Sequence, residues 1–214
     1  MPMPEYLVVQ KPDNISFEDI HDLLYKAHSD NIKKGIFVKT ALLNGEELRE
    51  YIKRDGKCFV ALDGNKLIGT LSVRVVPRNT WYSKKPIIET VLIGVDPEYS
   101  GKGVYAALEK AATEHALSQG YDMITLCTPE NNISTINSSL KKGYRLVSFF
   151  SSKTSELYFV VMLKWLNGTQ YTDRYCNLRF KIKRFWVKLL TKPGNKKRIG
   201  FRRYLKKIKN IIQR

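Results

Sequence analysis

Apolar and polar positions along the chain fall into short segments whose spacing predicts a sheet flanked by helices. Runs rich in apolar residues predict strands over 5–10, 58–62, 67–76, 87–95, 123–128, 147–150 and 157–165. Helical spacing predicts helices over 16–27, 45–54, 103–117 and 131–142, whereas residues 28–40 show no period and predict a long loop. The order β-α-α-β-β-β-α-β-α-β-β indicates an α+β or mixed α/β fold with one parallel crossover.

Charge divides the chain into two unequal parts. The 214 residues carry a net charge of +17, but residues 166–214 hold 16 Lys or Arg and a single acid. Residues 1–165 hold 21 basic and 19 acidic residues, so they are almost neutral. We therefore predict a globular domain over 1–165 and a basic extension over 166–214.

Composition narrows the compartment and the class of protein. A hydrophobic fraction of 43% argues against a disordered chain, and no apolar run is long enough to predict a membrane-spanning helix. The first residues have no pattern of a secretory signal. Cys58, Cys127 and Cys176 are far apart and predict neither a disulfide framework nor a zinc site, so we expect a cytoplasmic protein without a metal.

A glycine loop, Ser100-Gly101-Lys102-Gly103, lies between a predicted strand and a predicted helix. Such a loop brings backbone N–H groups close to an anion at a helix N-terminus, although it could equally be a tight turn. The Walker A pattern is absent. Residues 101–106 match the dinucleotide fingerprint, but a hairpin precedes them and too few residues follow for a doubly wound sheet.

A wider stretch of sequence resembles the GNAT N-acetyltransferase superfamily. Residues 95–104, which run from Val-Asp-Pro into the glycine loop, are similar to its acetyl-CoA signature. Asn132-x-x-Thr135, followed by residues 140–144 (LKKGY), resembles its second motif, and the resemblance spans about 5–165. It implies a GNAT-like acyl-CoA N-acyltransferase fold, with a twisted, mostly antiparallel sheet and helices on both faces. It also implies transfer of acetyl from acetyl-CoA to a primary amine, namely a small amine, an amino sugar or a peptide N-terminus.

The same resemblance implies which residues bind acetyl-CoA. The backbone of the strand would pair with the pantetheine, and the loop amides would hold the pyrophosphate. The implied binding residues are Ile93, Gly94, Val95, Ser100, Gly101, Lys102, Gly103, Val104, Tyr105, Ala106 and Asn132. Ser100 and Tyr105 depart from the signature, where the family has Gln or Arg and Gly or Ala.

The catalytic residues are less well marked. Glu89 lies in an apolar strand, where a carboxylate is costly unless it is used or paired, and we predict that it is the base. The alternative is a surface acid paired with Arg74 or Lys85. The family's tyrosine acid falls at Ser139, so the proton for the thiolate could come from Tyr105, Tyr144 or a water near Ser139.

The remaining histidines and two loops have simpler interpretations. We predict that His21 and His28 are surface or loop residues and that His115 is a core residue. The predicted loop over 28–40 and the segment 77–85 are expected to border the acceptor pocket.

The basic extension has apolar residues at helical spacing on either side of Lys192-Pro193-Gly194 and predicts two basic amphipathic helices. We favour an anionic membrane surface, bound through residues 176–214 at the inner membrane face, over nucleic acid. Packing on the domain, or on a second copy in a homodimer, stays open. The alternative function is a non-catalytic CoA-binding protein that is tethered through this extension.

Overall fold

A computed structural model describes residues 6–52, 55–77, 80, 82–83, 86–152, 157–168 and 172–190. The elements in these residues are β1 (Leu7–Gln10), α1 (Phe17–Lys33), α2 (Gly45–Ile52), β2 (Lys57–Asp63), β3 (Lys66–Val76), β4 (Ile87–Val95), α3 (Val104–Ser118), β5 (Met123–Pro129), α4 (Ile133–Lys141), β6 (Arg145–Ser151), β7 (Tyr158–Trp165) and α5 (Asp173–Leu190). Two short 3₁₀ helices, Lys39–Ala41 and Pro97–Tyr99, precede α2 and α3.

The strands form one seven-stranded sheet in the order β1-β2-β3-β4-β5-β7-β6. Neighbouring strands are antiparallel except for β4 and β5, which are parallel and are joined through α3. This topology confirms the predicted mixed fold with its single parallel crossover.

Helices bury their apolar stripes on separate cores. The stripe of α3 packs against β2 and β3, where Val104, Leu108 and Ala112 join Leu71 in the larger cluster. A second cluster brings Leu24 of α1 and Leu48 of α2 against Val60 and Leu92. Burial of these side chains, each contributing roughly 1.5–3 kcal/mol for a large aliphatic residue, holds the helices on the sheet.

Helix α1 is longer than the sequence pattern predicts. Its start is confirmed, because Ser16 and Asp19 form a capping box. The predicted loop over 28–40 is wrong in its first part, since the helix continues to Lys33 and ends before Gly35, whose φ is +70°. The last turns, residues 28–33, are mostly polar, so the apolar period that marks a helix is missing from this part of the sequence.

Helix α5, which begins the basic extension, packs along the edge strand β6. The rings of Phe149 and Phe180 meet edge to face at 5.9 Å, and Lys183 Nζ donates a hydrogen bond to Ser148 Oγ over 2.6 Å. The first helix of the extension therefore rests on the sheet, whereas the second predicted helix lies outside the described residues. The domain boundary at 165/166 stays a prediction. Within the described ranges, no helix is long and apolar enough to span a bilayer.

Candidate active site

A β-bulge interrupts the pairing of β4 with β3 in the middle of the sheet. Between the pairs Thr70–Gly94 and Ser72–Val91, one residue of β3 faces two residues of β4. Leu92, at the bulge, has a φ of +49°, which is strained for a leucine. Pairing of β4 with β5 extends over Ile88–Thr90 in the described strands, so the two strands diverge beyond that point.

A cavity of about 670 Å³ fills this opening. Its walls are residues 89–93 of β4, residues 126–129 of β5, the serine-rich face of α4, and residues 37–40, which lie between α1 and α2. Aromatic rings of Phe37, Tyr51, Phe150 and Phe159 also line it, and the last two stack at 5.5 Å. The cavity therefore combines a slot between two strands with an aromatic chamber.

His28 lines this cavity, so its predicted position at the surface or in a loop is wrong. Its Nε2–H donates to the carbonyl oxygen of Ile93 over 2.7 Å, and burial lowers the pKa of the imidazole despite that bond. The neutral ring thus holds the backbone at the bulge. The spacing in the sequence could have indicated this position, because Ile20, Leu24 and His28 lie at i, i+4 and i+8 and so share one face of α1.

Glu89 is 2% exposed and lines the cavity, one residue before the pairing of β4 with β5 ends. Arg74, its cross-strand neighbour, donates to the same carboxylate oxygen from Nη2 over 2.7 Å and from Nε over 3.0 Å. The guanidinium also lies 4.2 Å from the ring centroid of Tyr51. The partner named in the alternative is therefore present, but the pair is buried beside the cavity and not at the surface. The catalytic role of Glu89 stays a prediction.

The glycine loop is exposed at the start of α3. Gly101 and Gly103 have φ values of +75° and +84°, a conformation that favours glycine. Gly103 is the N-cap residue, and no side chain caps the amides of the first turn among the described residues. These amides and the helix dipole form a place for an anion.

A buried carboxylate anchors the strand that leads into this loop. Lys26 Nζ lies 2.9 Å from Asp96 Oδ2, and the backbone N–H of Glu98 donates to Asp96 Oδ1 over 3.0 Å. Burial by itself would raise the pKa of Asp96, but these hydrogen bonds and the charges of Lys26 and Lys66 lower it overall. The loop therefore starts from a fixed point on the end of β4.

Residues of the second predicted motif separate into two environments. Ser139 and Asn132 line the cavity, and Asn132 Oδ1 caps α4 by accepting from the Thr135 N–H over 3.3 Å. Tyr144 is fully buried in the larger core and is not among the lining residues. Burial also raises the pKa of its hydroxyl. Because Tyr144 lies outside the cavity lining, the geometry does not support a proton transfer from it.

Of the predicted acetyl-CoA residues, Ile93, Tyr105 and Asn132 line the cavity itself. Val104 is buried in the core, whereas Ala106 is exposed on the first turn of α3. Gly94 faces α1, because a Cβ there would lie 2.9 Å from Leu24 Cδ2. The absence of a side chain at Gly94 therefore serves helix packing as well as any approach of a ligand.

In the described part of the chain, no group of three or more His, Cys, Asp or Glu side chains could hold a metal ion. The three cysteines are free thiols, and Cys127 borders the cavity.

A sequence profile described as the Acetyltransferase (GNAT) family matches residues 17–144. The chain belongs to the GNAT acetyltransferase family. The match contains α1, the bulged β4 and α4, which contribute residues to the cavity lining, and it also contains the glycine loop. The predicted family and the predicted fold are both confirmed.

Individual relatives are distant from this GNAT chain. N-acetyltransferase 8B of Homo sapiens is 29% identical over 105 residues, which cover 48% of this chain and 45% of that protein. The match thus spans about half the length of the curated relative.

Solved structures share the fold at low identity. The ribosomal-protein-S18-alanine N-acetyltransferase from Escherichia coli has a TM-score of 0.58 and 13% identity, over 78% of this chain and 99% of its own. A GNAT family acetyltransferase from Elizabethkingia anophelis, solved with acetyl-CoA bound, has a TM-score of 0.53 and 15% identity, over 75% of this chain and 97% of its own.

Proposed function

We propose that this protein is an acetyl-CoA-dependent N-acetyltransferase that acetylates a primary amine. The observation that carries the proposal is the cavity between the diverging β4 and β5, with a buried carboxylate at one end and an uncapped helix N-terminus beyond the other end of β4. Membership of the GNAT family and a structural neighbour with bound acetyl-CoA support the same conclusion.

The donor half of the site fits acetyl-CoA. The amides over 101–106 would hold the pyrophosphate, because both glycines already adopt left-handed backbone conformations that expose them. The backbone over 93–95, beyond the last pairing with β5, would bind the pantetheine amides as an added strand. Acetyl-CoA supplies the activated acyl group, and the protein supplies its position.

The acceptor half is built around Glu89. In the proposed reaction the amine nitrogen attacks the thioester carbonyl, its proton passes to the carboxylate, and the C–S bond then breaks. The two hydrogen bonds from Arg74 fix the carboxylate so that it can accept that proton directly or through a water. Tyr144 lies in the core, whereas Tyr105 and Ser139 line the cavity, so the departing thiolate takes its proton from Tyr105 or from a water near Ser139.

The oxyanion of the tetrahedral intermediate needs a preorganised donor, and the bulge offers one. Ile93 has no register partner on β3, and the described pairing with β5 has ended at Thr90. Its N–H is therefore our proposed oxyanion donor, held in place because His28 binds the carbonyl of the same residue.

Walls of the acceptor chamber favour an amine attached to an apolar or aromatic group. Phe37, Tyr51, Phe150 and Phe159 contribute rings, and the serine-rich face of α4 adds hydroxyl groups. Small amines, amino sugars and peptide N-termini therefore all stay in the panel of acceptors, and amines with an apolar group are tested first.

An acetyl-transfer assay with a panel of these three amine classes tests the proposal. We expect transfer to at least one apolar amine, measured as free thiol released only when amine is present. The competing function, a CoA-binding protein without catalysis, predicts calorimetric binding of acetyl-CoA with no thiol release above the amine-free rate for any class. Such a result would refute the enzymatic proposal and leave the donor site intact.

A further inference from the structure

Helix α5 carries two apolar faces, and only one of them rests on the sheet. Cys176, Phe180 and Val187 lie toward β6. A second row, Tyr175, Leu178, Ile182, Phe185 and Leu189, is exposed by 40%, 56%, 50%, 62% and 43%. We call this second row the exposed stripe. At about 100° per residue its centre lies about 160° around the helix from the buried face.

The exposed stripe is continuous and too large to be incidental. Its members follow one another at intervals of three and four residues, so they form a seam roughly 21 Å long on one side of the helix. A soluble protein rarely leaves such a row of large apolar side chains in water without a partner. Charged and short polar residues would be the ordinary choice at these positions.

Basic side chains border the stripe. Arg174 and Lys181 are spaced by seven residues along one edge, and Arg179 lies on the other edge. Lys188 is turned toward the domain instead, where its Nζ lies 2.9 Å from Glu130 Oε1. The whole helix has six basic residues against Asp173 alone, and residues 166–214 together carry 16 basic residues and one acid. An apolar seam between positive rows matches a surface that is apolar below and anionic above.

We propose that the exposed stripe of α5 is a docking surface for an anionic lipid bilayer. The helix would lie in the plane of the membrane, with the stripe among the upper acyl chains and the basic rows at the headgroups. Because the opposite face of α5 already holds the edge of the sheet, docking needs no rearrangement of the domain.

Two other occupants fit the same observations less well. A second copy of the chain could cover the apolar seam, but it would bring two strongly basic helices together. Nucleic acid would satisfy the positive rows, but its phosphates would leave the aliphatic side chains Leu178, Ile182 and Leu189 in water. The bilayer is the partner that accounts for both features.

Sedimentation of the full chain with vesicles tests the proposal. We expect binding to vesicles of phosphatidylcholine containing about 30% phosphatidylglycerol, weak binding to phosphatidylcholine alone, and release by salt. Ile182→Ser combined with Phe185→Ser should lower the partition coefficient about tenfold or more, because two large apolar side chains no longer enter the bilayer. Leu42→Ser, which changes a leucine that is also 56% exposed but lies outside α5, should have no effect.

Charge variants and two further measurements complete the design. Arg174→Gln combined with Lys181→Gln should weaken binding to anionic vesicles several-fold and flatten its salt dependence, whether or not the apolar variant folds. Equal partitioning of the apolar variant and wild type would overturn the proposal. Two other results would also overturn it. One is a dimer, seen by light scattering, that the apolar variant disrupts while its vesicle binding is unchanged. The other is a set of variants that lose binding to single-stranded RNA but not to vesicles. Acetyl-CoA affinity should be the same in all variants, which separates this proposal from the proposed enzymatic function.

Discussion

At the scale of single residues, the pair of Glu89 and Arg74 unites a structural contact with the proposed catalytic carboxylate. Two hydrogen bonds from Arg74 go to one oxygen of Glu89, which is buried in the wall of the cavity. Such a pair stabilises the fold if its geometry is good, and it also fixes the carboxylate in the cavity where we propose that the amine binds.

Replacement of Glu89 by Gln separates the two roles. We expect turnover to fall by roughly 100-fold or more, within the usual range for a general base, while acetyl-CoA affinity stays about the same. Steady-state rates and calorimetry measure the two quantities.

The matched control for this experiment is Glu109→Gln. Glu109 is also buried and paired, with Lys142 Nζ 3.1 Å away, but it lies outside the cavity lining. Its loss should lower stability without a comparable loss of turnover. Wild-type turnover in Glu89→Gln across the pH range would make Glu89 a structural partner of Arg74 alone.

His28 gives the fold a pH dependence of known sign. Burial lowers its pKa in the folded state, so the unfolded chain binds the proton more readily. The contribution of neutral His28 to the free energy of unfolding is therefore fully present above the pKa of the unfolded chain, about 6.5. It decreases as the pH falls from there toward the pKa of the folded state.

Urea unfolding at about pH 7.5 and pH 5.5 measures this effect. The free energy of unfolding should fall between the two values in the wild type and fall less in His28→Gln. Part of the loss should remain, because the pKa of His115 is also lowered, by its partial burial. An unchanged difference in His28→Gln would contradict the assignment of a neutral His28.

At the scale of elements, the start of α3 is where we propose that the chain binds the pyrophosphate of acetyl-CoA. Gly103→Val should weaken CoA binding by at least about tenfold, because a residue with a Cβ resists the left-handed conformation that exposes the loop amides. A Cβ at this position would also lie 3.2 Å from the hydroxyl of Tyr6. Calorimetric titration with CoA measures the loss.

A matched glycine at the other end of the same helix controls for backbone strain. Gly120 has a φ of +75° and open space where a Cβ would lie, so Gly120→Val imposes a similar conformational cost without touching the loop. It should lower stability and leave CoA affinity unchanged. Equal CoA affinities for the wild type and Gly103→Val would refute the proposal that this loop binds the pyrophosphate.

At the scale of the whole molecule, the basic and nearly neutral parts of the sequence do not form separately packed parts of the structure. Phe180 joins the larger core, and Arg184 Nε donates to Glu130 Oε1 over 2.8 Å across the end of β5. The basic extension therefore begins as part of the folded body, although its composition differs sharply from the rest.

Shortened chains measure how much of the extension the fold needs. A chain that ends at residue 165 should unfold at a lower temperature than the full chain, because it exposes Phe149 on the edge strand β6. A chain that ends at residue 190 keeps these contacts and should unfold at a higher temperature than the chain that ends at residue 165. Equal melting temperatures for the shorter chain and the full chain would show that α5 adds nothing to the stability of the domain.

The sequence by itself determined the order of strands and helices, the glycine loop, the family and five residues that line the cavity, namely Glu89, Ile93, Tyr105, Asn132 and Ser139. These follow from local periods and from a motif that is contiguous along the chain. The bulge at Leu92, the approach of His28 to Ile93, the burial of Tyr144 and the exposed stripe of α5 were decided by the tertiary structure. Each depends on which face of one element meets another, and a helix with apolar residues on two sides does not reveal in its sequence which side the sheet will cover.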